Sequence, residues 1–127
     1  MEFGNIIITS QGSVKVDLST DGTVWMTKRE IASLFNVKQA AVESGLKILL
    51  QCNPLRQDTF MKEVIENIHG KQCRIELFNL EIIIALSFRI DSYACSLFRQ
   101  WCVKQIIAPQ TKKPELYIQI GTSTMLN

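Results

Sequence analysis

Residues 24–47 constrain the fold of this chain most, because they read as two short helices joined by a tight turn. Their apolar positions suit two helices that cross at a steep angle and pack on each other: Ile31, Ala32, Phe35, Val37, Val42 and Leu46. Thr27 with Glu30 predicts a capping box before the first helix, and Asn36 suits a left-handed turn residue. We therefore expect a helix–turn–helix, with its second helix at about residues 38–50.

Period-two apolar patterns predict strands on both sides of this motif. Before it, residues 5–9, 14–18 and 24–26 predict a three-stranded antiparallel meander with a turn at Asp21-Gly22. After it, residues 60–67 and 72–78 predict a hairpin, a wing beside the helix pair, with its tip at residues 69–71. The fold class is therefore α+β.

Two helices are expected at the C-terminal side of the hairpin. Asn79 can cap the first, from Leu80 to about Arg89, which is apolar almost all round and so should be buried. Asp91 or Ser92 can cap the second, over residues 93–107, before Pro109 stops regular helix. One face of this helix is expected to carry Leu97, Trp101, Lys104 and Ile107, with Phe98 beside them.

Length and composition favour one ordered domain. The chain has 127 residues, of which 46% are hydrophobic and 20% charged, so it can bury a core. We expect a domain over residues 1–108 and a tail over 109–127, which is either a strand near 116–120 or disordered. The net charge is only +2, so affinity for nucleic acid must come from local clustering of cations.

Cysteine, histidine and catalytic patterns point away from a metal site or an enzyme. Four cysteines, at 52, 73, 95 and 102, lack CxxC spacing, and one histidine, His69, accompanies them. We expect reduced, half-buried thiols in a cytoplasmic protein, with no cofactor and no membrane segment. Glu63 and Glu66 would point to opposite faces of a strand, so they form no acid–base pair.

Polar residues on the outer face of the second helix give the sharpest functional hypothesis. Lys38 and Lys47 suit phosphate contacts and Gln39 suits an adenine edge, with Glu43 and Ser44 on the same face. Further phosphate contacts are expected from Lys28, Arg29, Lys71 and Arg74. The alternative is a plain helical hairpin with a solvated outer face, and Glu43 weakens the attraction for DNA.

Two further sets of residues have both a structural and a functional interpretation. Lys71 and Arg74 could reach a phosphate from a wing, or could keep an edge hairpin soluble. Arg89 and Arg99 lie among apolar helical neighbours, with Asp91 and Trp101 nearby. They could form a patch that binds an anion or a partner, but a buried polar network that fixes how the last two helices cross is favoured.

Three segments resemble the virulence RhuM family of bacterial proteins. They are residues 24–37, residues 78–92 (similar to a YNLDxIIxxGYRVNS pattern) and Phe98-Arg99-Gln100-Trp101 (an FRxW match). The resemblance spans about residues 5–108. It implies a DNA-binding or phage-antirepressor-like regulator linked to mobile elements or virulence. Ser44, beside Glu43, stands where the family often has arginine, so the outer face is less basic here.

The leading prediction is a cytoplasmic transcription regulator that binds double-stranded DNA as a homodimer, because one short helix contacts few base pairs. The rival is an antirepressor-like or antitoxin-like module that docks a protein partner without binding DNA. Cations sharing one face favour DNA, whereas scattered cations with an apolar patch near the C-terminal helices favour the rival. A small enzyme would need a deep pocket with converging polar groups.

Overall fold

The computed structural model describes residues 3–53 and 56–112 and shows an α+β fold. Along the chain the elements are β1 (Asn5–Ile8), β2 (Val14–Asp17), α1 (Lys28–Phe35), α2 (Gln39–Cys52), α3 (Gln57–Phe60), β3 (Met61–Ile68), β4 (Lys71–Phe78), α4 (Leu80–Ser87) and α5 (Tyr93–Lys112). In these residues β1 pairs with β2 and β3 with β4, both antiparallel. The predicted fold class, with a small N-terminal sheet, is confirmed.

The helix–turn–helix is confirmed in α1 and α2. Thr27 and Glu30 form the reciprocal capping box: the Glu30 N–H donates to Thr27 Oγ1 (3.1 Å) and the Thr27 N–H to Glu30 Oε1 (2.9 Å). Asn36 takes the left-handed conformation (φ 56°, ψ 48°) that ends α1. Val42 and Leu46 of α2 are buried against α1. The local signals therefore specify both helices and the turn between them.

The N-terminal sheet has two strands in the described chain, so the predicted third strand over residues 24–26 is wrong. Met26 instead pairs with Phe78 at the end of β4, through hydrogen bonds of 3.0 and 2.8 Å. Val24 and Met26 are buried, and their apolar side chains draw this segment into the helical core. The base of the β3–β4 hairpin is thereby joined to the residue that precedes the first helix of the motif.

The predicted turn at Asp21-Gly22 is present. The Gly22 N–H donates to the Ser19 carbonyl (3.0 Å). Hydrogen bonds from the Ser19 hydroxyl and the Trp25 indole lower the pKa of the Asp21 carboxyl. These bonds hold residues 19–25 together where the chain leaves the first sheet.

The β3–β4 hairpin forms as expected, but its loop has only two residues, because Lys71, predicted to lie at the tip, begins β4 and pairs with Ile68. Its loop residues His69 (φ 53°) and Gly70 (φ 79°) both have positive φ, which is the backbone of a type I′ turn. The strand predicted from Phe60 begins one residue later, because Phe60 ends the short helix α3 and is buried. The hairpin register follows from this turn.

The core lies between α1, α2, α4 and α5. Its largest fully buried side chains come from all four helices, from the end of β4 and from Val24: Phe35, Phe78, Phe98, Ile31, Ile82, Ile83, Leu86, Val24 and Val42. Asn79 caps α4 by accepting from the Ile82 N–H (3.1 Å), as expected. Gly45 of α2 packs closely on α4, because a Cβ there would come within 2.7 Å of Leu86 Cδ2.

Helix α5 differs from expectation in its length and in its buried face. It continues through Pro109 to Lys112. Proline has no N–H to donate within the helix, but residues 103–108 are exposed, so water can hydrogen-bond to the carbonyl that is left without a partner. The rest of the predicted tail lies outside the described residues. The fully or nearly buried residues of α5 are Cys95, Phe98 and Cys102, whereas Lys104 and Ile107 are exposed. The residues expected to share one face are therefore divided between the core and solvent, since Trp101 packs against the core, and the buried stripe includes Cys95 and Cys102, which pack as small apolar side chains.

The four cysteines are free and differ in burial. Cys95 and Cys102 are buried, which raises the pKa of both thiols, Cys73 is partly buried and Cys52 is exposed. Within residues 3–53 and 56–112, no group of three or more metal-ligating side chains converges. No helix in that part of the chain combines the length and apolarity needed to cross a membrane.

Candidate nucleic-acid interface

The outer face of α2 is exposed to solvent. Five of its predicted contact residues lie there or at its first turn: Lys38, Gln39, Glu43, Ser44 and Lys47. The buried side of the same helix holds Val42, Gly45 and Leu46 against the core. The segment is therefore presented outward, as a helix that enters a groove must be.

The turn before α2 holds this helix in place. The Asn36 N–H donates to the Ala32 and Ser33 carbonyls, and the Val37 N–H donates to the Ala32 carbonyl (3.0 Å). These bonds satisfy carbonyls at the end of α1 that would otherwise lack partners. The α2 face is thus carried on a turn with defined geometry.

The N-terminus of α2 differs from those of α1 and α4. Thr27 and Asn79 cap α1 and α4 with their side chains, and each helix has a glutamate in its first turn. At α2 the N-cap is Lys38, whose side chain makes no capping bond, and the first turn has no acidic residue. The positive end of the helix dipole and Lys38 together favour an approaching anion, such as a DNA phosphate.

Glu43 affects how Gln39 can act. Gln39 Nε2 donates to Glu43 Oε2 at 3.3 Å, one helical turn away. This bond orients the amide of Gln39 on the outer face and leaves its oxygen turned away from the carboxylate. The glutamate also places a negative charge on the presumed reading face, as expected from the sequence.

A cleft of about 170 Å³ separates α2 from the base of the hairpin. Its charged lining is mixed: Lys28 and Lys47 face Glu43 and Glu76. Lys28 Nζ lies 3.6 Å from Glu76 Oε1, and both side chains are partly exposed. Glu63 stands directly opposite Glu76 across the hairpin. Lys28 is therefore partly neutralised, and this side of α2 is not a purely basic surface.

The hairpin does not bring Lys71 and Arg74 together. They are three residues apart on β4, so their side chains point to opposite faces. Arg74 shares its face with Glu76, the face that borders α2, whereas Lys71 points to the other side. Both residues are exposed, as is Arg29 at the start of α1.

Arg89 lies beside α2, a position that the sequence did not predict. It is exposed, not buried in a network, because α4 ends at Ser87 and the chain turns outward there. With Asp91 it borders a cleft that is lined on the α2 side by Ala41, Ser44 and Ile48. The contact depends on how α2 and α4 pack, so no local pattern indicates it.

Arg99 has the structural role that the sequence favoured. Its Nη1 donates to the Ile90 carbonyl (3.1 Å) and to the Ser87 carbonyl. These bonds tie α5 to the end of α4. Ser92 connects the start of α5 to the end of α1, because its hydroxyl accepts from the Cys95 N–H (3.1 Å) and donates to the Phe35 carbonyl (2.8 Å).

Comparison of the chain with protein-family models, curated proteins and solved structures finds no match.

Proposed function

We propose that this chain is a DNA-binding module, not an enzyme, whose helix α2 enters the major groove. The observation that carries the proposal is the outward face of α2 on a helix–turn–helix with a defined turn. Lys38 and Lys47 would contact phosphates, and Gln39 and Ser44 would meet base edges. Lys28, Arg29 and Arg74 would add contacts on the hairpin side, and Arg89 on the side of α4.

The biological setting of the proposal comes from the resemblance to the virulence RhuM family. On that basis the chain would be a cytoplasmic regulator in a bacterial mobile-element or virulence-associated system. We expect a homodimer on DNA, since two α2 helices about 34 Å apart could read half-sites one helical turn apart. Lys71 would face away from the duplex that α2 contacts.

A second candidate function, protein docking without DNA binding, is favoured by the charge distribution. The six predicted cations do not all share one face, because Lys71 and Arg74 point to opposite sides of β4. The charge of Lys28 is also partly offset by Glu76. Apolar side chains are also exposed at the end of α4 and along α5. The two functions are separated by whether the chain binds duplex DNA at all.

A salt titration of binding to a labelled random-sequence duplex tests the proposal. Phosphate contacts release counterions, so the logarithm of affinity should fall linearly with the logarithm of salt, by about 0.9 per neutralised phosphate. Fluorescence anisotropy at several salt concentrations measures this slope. Absence of binding at low salt would support the protein-docking alternative instead.

Paired charge reversals locate the site. Lys38→Glu with Lys47→Glu should abolish detectable binding to the duplex if α2 makes the contacts. Lys15→Glu with Lys104→Glu is the matched control, because it changes the net charge equally at exposed lysines on β2 and α5. Equal loss in both double variants would mean that net charge alone drives binding, and retained binding in the first would place the site elsewhere.

A further inference from the structure

The apolar stripe of α5 extends beyond the core that it packs against. Its buried residues end at Cys102, and Ile106, one turn further on, is 64% exposed. Val103 and Ile107 are exposed beside it, at spacings of three and four residues that place all three on neighbouring positions of the helix surface. Scattered exposed apolar residues are ordinary, but a continuous stripe marks a contact surface.

The stripe continues into a cleft at the end of α4. Phe88, the C-cap residue that follows α4, is 58% exposed and faces α5 across a cleft of about 580 Å³. The cleft is lined by Phe88, Ser96, Arg99, Gln100, Val103 and Lys104. We call this cleft, together with Ile106 and Ile107, the α5 surface. It is long enough for two turns of a partner helix, given 1.5 Å of rise per residue.

The charges of the α5 surface have one sign. Arg99 and Lys104 line the cleft, and the α5 sequence contains no aspartate or glutamate. Arg99 is held in place by its two Nη1 bonds to carbonyls, and no described residue accepts a hydrogen bond from its Nη2 or Nε. A guanidinium has five N–H donors in a planar fork, and the remaining ones suit a carboxylate.

We propose that the α5 surface binds an amphipathic helix of another protein, whose apolar stripe is flanked by aspartate or glutamate. Its apolar side chains would cover Phe88, Val103, Ile106 and Ile107, as in other helix-in-groove complexes. Its carboxylates would pair with Arg99 and Lys104. A second copy of this chain fits less well, because a two-fold contact between α5 helices would bring cations together with no acidic residue on either helix.

This inference goes beyond DNA binding and does not depend on it. The α5 surface uses none of the α2 residues assigned to the duplex. Binding of a peptide and binding of duplex DNA can therefore be measured on the same preparation, and either can fail while the other succeeds.

Selection of helical peptides from a displayed library tests the proposal on the full chain. We expect enriched peptides to have a net negative charge and apolar residues at helical spacings of three and four. Fluorescence anisotropy with the best synthetic peptide then measures affinity. Recovery of no peptide above background, or of neutral or basic ones, would overturn the proposal.

Variants of exposed residues localise the binding. Val103→Asp should weaken the peptide by about tenfold or more, as truncated contacts at the centre of an interface do. Ile65→Asp on the hairpin is the matched control and should leave affinity within about twofold. Both side chains are exposed, and circular dichroism checks that both variants fold. Equal affinity of Val103→Asp and the unaltered chain would overturn the assignment.

A charge swap tests the chemistry of the partner. Lys104→Glu should weaken the acidic peptide several-fold, and a peptide with lysine at the facing position should regain affinity for that variant. Analytical sedimentation of the unaltered chain tests whether a second copy occupies the α5 surface. A dimer that Val103→Asp dissociates would make a second copy the occupant of the α5 surface and would overturn the proposal.

Discussion

The helical body and the β3–β4 hairpin are stabilised in different ways. The body, formed by α1, α2, α4 and α5, buries side chains such as Phe35, Ile83 and Phe98 completely. The hairpin buries residues only at its base, where Leu77 and Phe78 meet the body. Further out, β3 is largely exposed, and Ile65 is 65% exposed. Backbone hydrogen bonds and the turn at residues 69–70 therefore hold most of the hairpin.

This difference separates stability from the candidate functions. Burial of apolar surface is the dominant favourable contribution to folding, so changes in the body should cost several kcal/mol. Exposed residues of α2, the hairpin and α5 can change with little effect on folding. Substitutions in the two regions can therefore test whether the body alone determines stability.

The largest expected effect is that of Phe35→Ala. Phe35 is fully buried and packs on the Phe98 ring, with ring centroids 5.8 Å apart. We expect the free energy of unfolding to fall by about 3–5 kcal/mol. Urea denaturation followed by circular dichroism measures it. Phe88→Ala, at an exposed position, is the control. An equal loss of stability in that variant would contradict the view that burial in the helical body determines stability.

Gly45→Val should destabilise the contact between α2 and α4 by about 1–3 kcal/mol. A Cβ at this position would overlap Leu86 Cδ2, and Leu86 is fully buried, so it has little room to move. Leu86→Ala would open that space. In a double-mutant cycle monitored by urea denaturation, we expect the double variant to lose less than the sum of the two single losses. If the two losses in the free energy of unfolding simply add, the cost of Gly45→Val does not arise from contact with Leu86.

Asn79→Ala tests the junction between the hairpin and the body. Asn79 caps α4 through the Ile82 N–H and donates to the Thr59 carbonyl (3.0 Å). Its loss should cost about 1–2 kcal/mol, because a cap and a partly buried hydrogen bond disappear together. Thermal and urea unfolding measure the change. Asn67→Ala, at an exposed position of β3, should change the free energy of unfolding little. A similar loss in both variants would contradict a stabilising role for the Asn79 bonds at this junction.

The smallest effect is expected for Ile65→Ser on the hairpin. Its side chain is mostly exposed, so the free energy of unfolding should change by no more than about 0.5 kcal/mol. Urea denaturation at two protein concentrations measures it. A larger, concentration-dependent loss would indicate that the exposed side of the hairpin is covered by another molecule.

Local signals predicted the caps and turns correctly. Thr27 with Glu30, Asn36 in the left-handed region and Asn79 before α4 each act through hydrogen bonds to residues within four positions. Such bonds depend on side-chain type and spacing alone. The outward position of residues 38–47 followed from the same reasoning, because the buried stripe of α2 determines its opposite face.

Contacts between distant parts of the chain were not predictable in this way. Met26 pairs with Phe78, and Arg89 lies beside α2, although neither has a local partner that indicates this. The residues expected along one face of α5 are divided, because Trp101 packs against the core beside Cys95 and Cys102, whereas Lys104 and Ile107 are exposed. DNA binding and membership of the RhuM family stay predictions.

The amino-acid sequence alone determined the helix–turn–helix, the presence of the hairpin and the α+β class, since caps, turns and apolar periodicity act over a few residues. The tertiary structure decided which surfaces stay open. It paired Lys28 with Glu76, turned Arg89 outward and left Val103, Ile106 and Ile107 of α5 exposed. The physical reason is that charge pairing and burial depend on which elements meet in space, and those partners lie far apart in the chain.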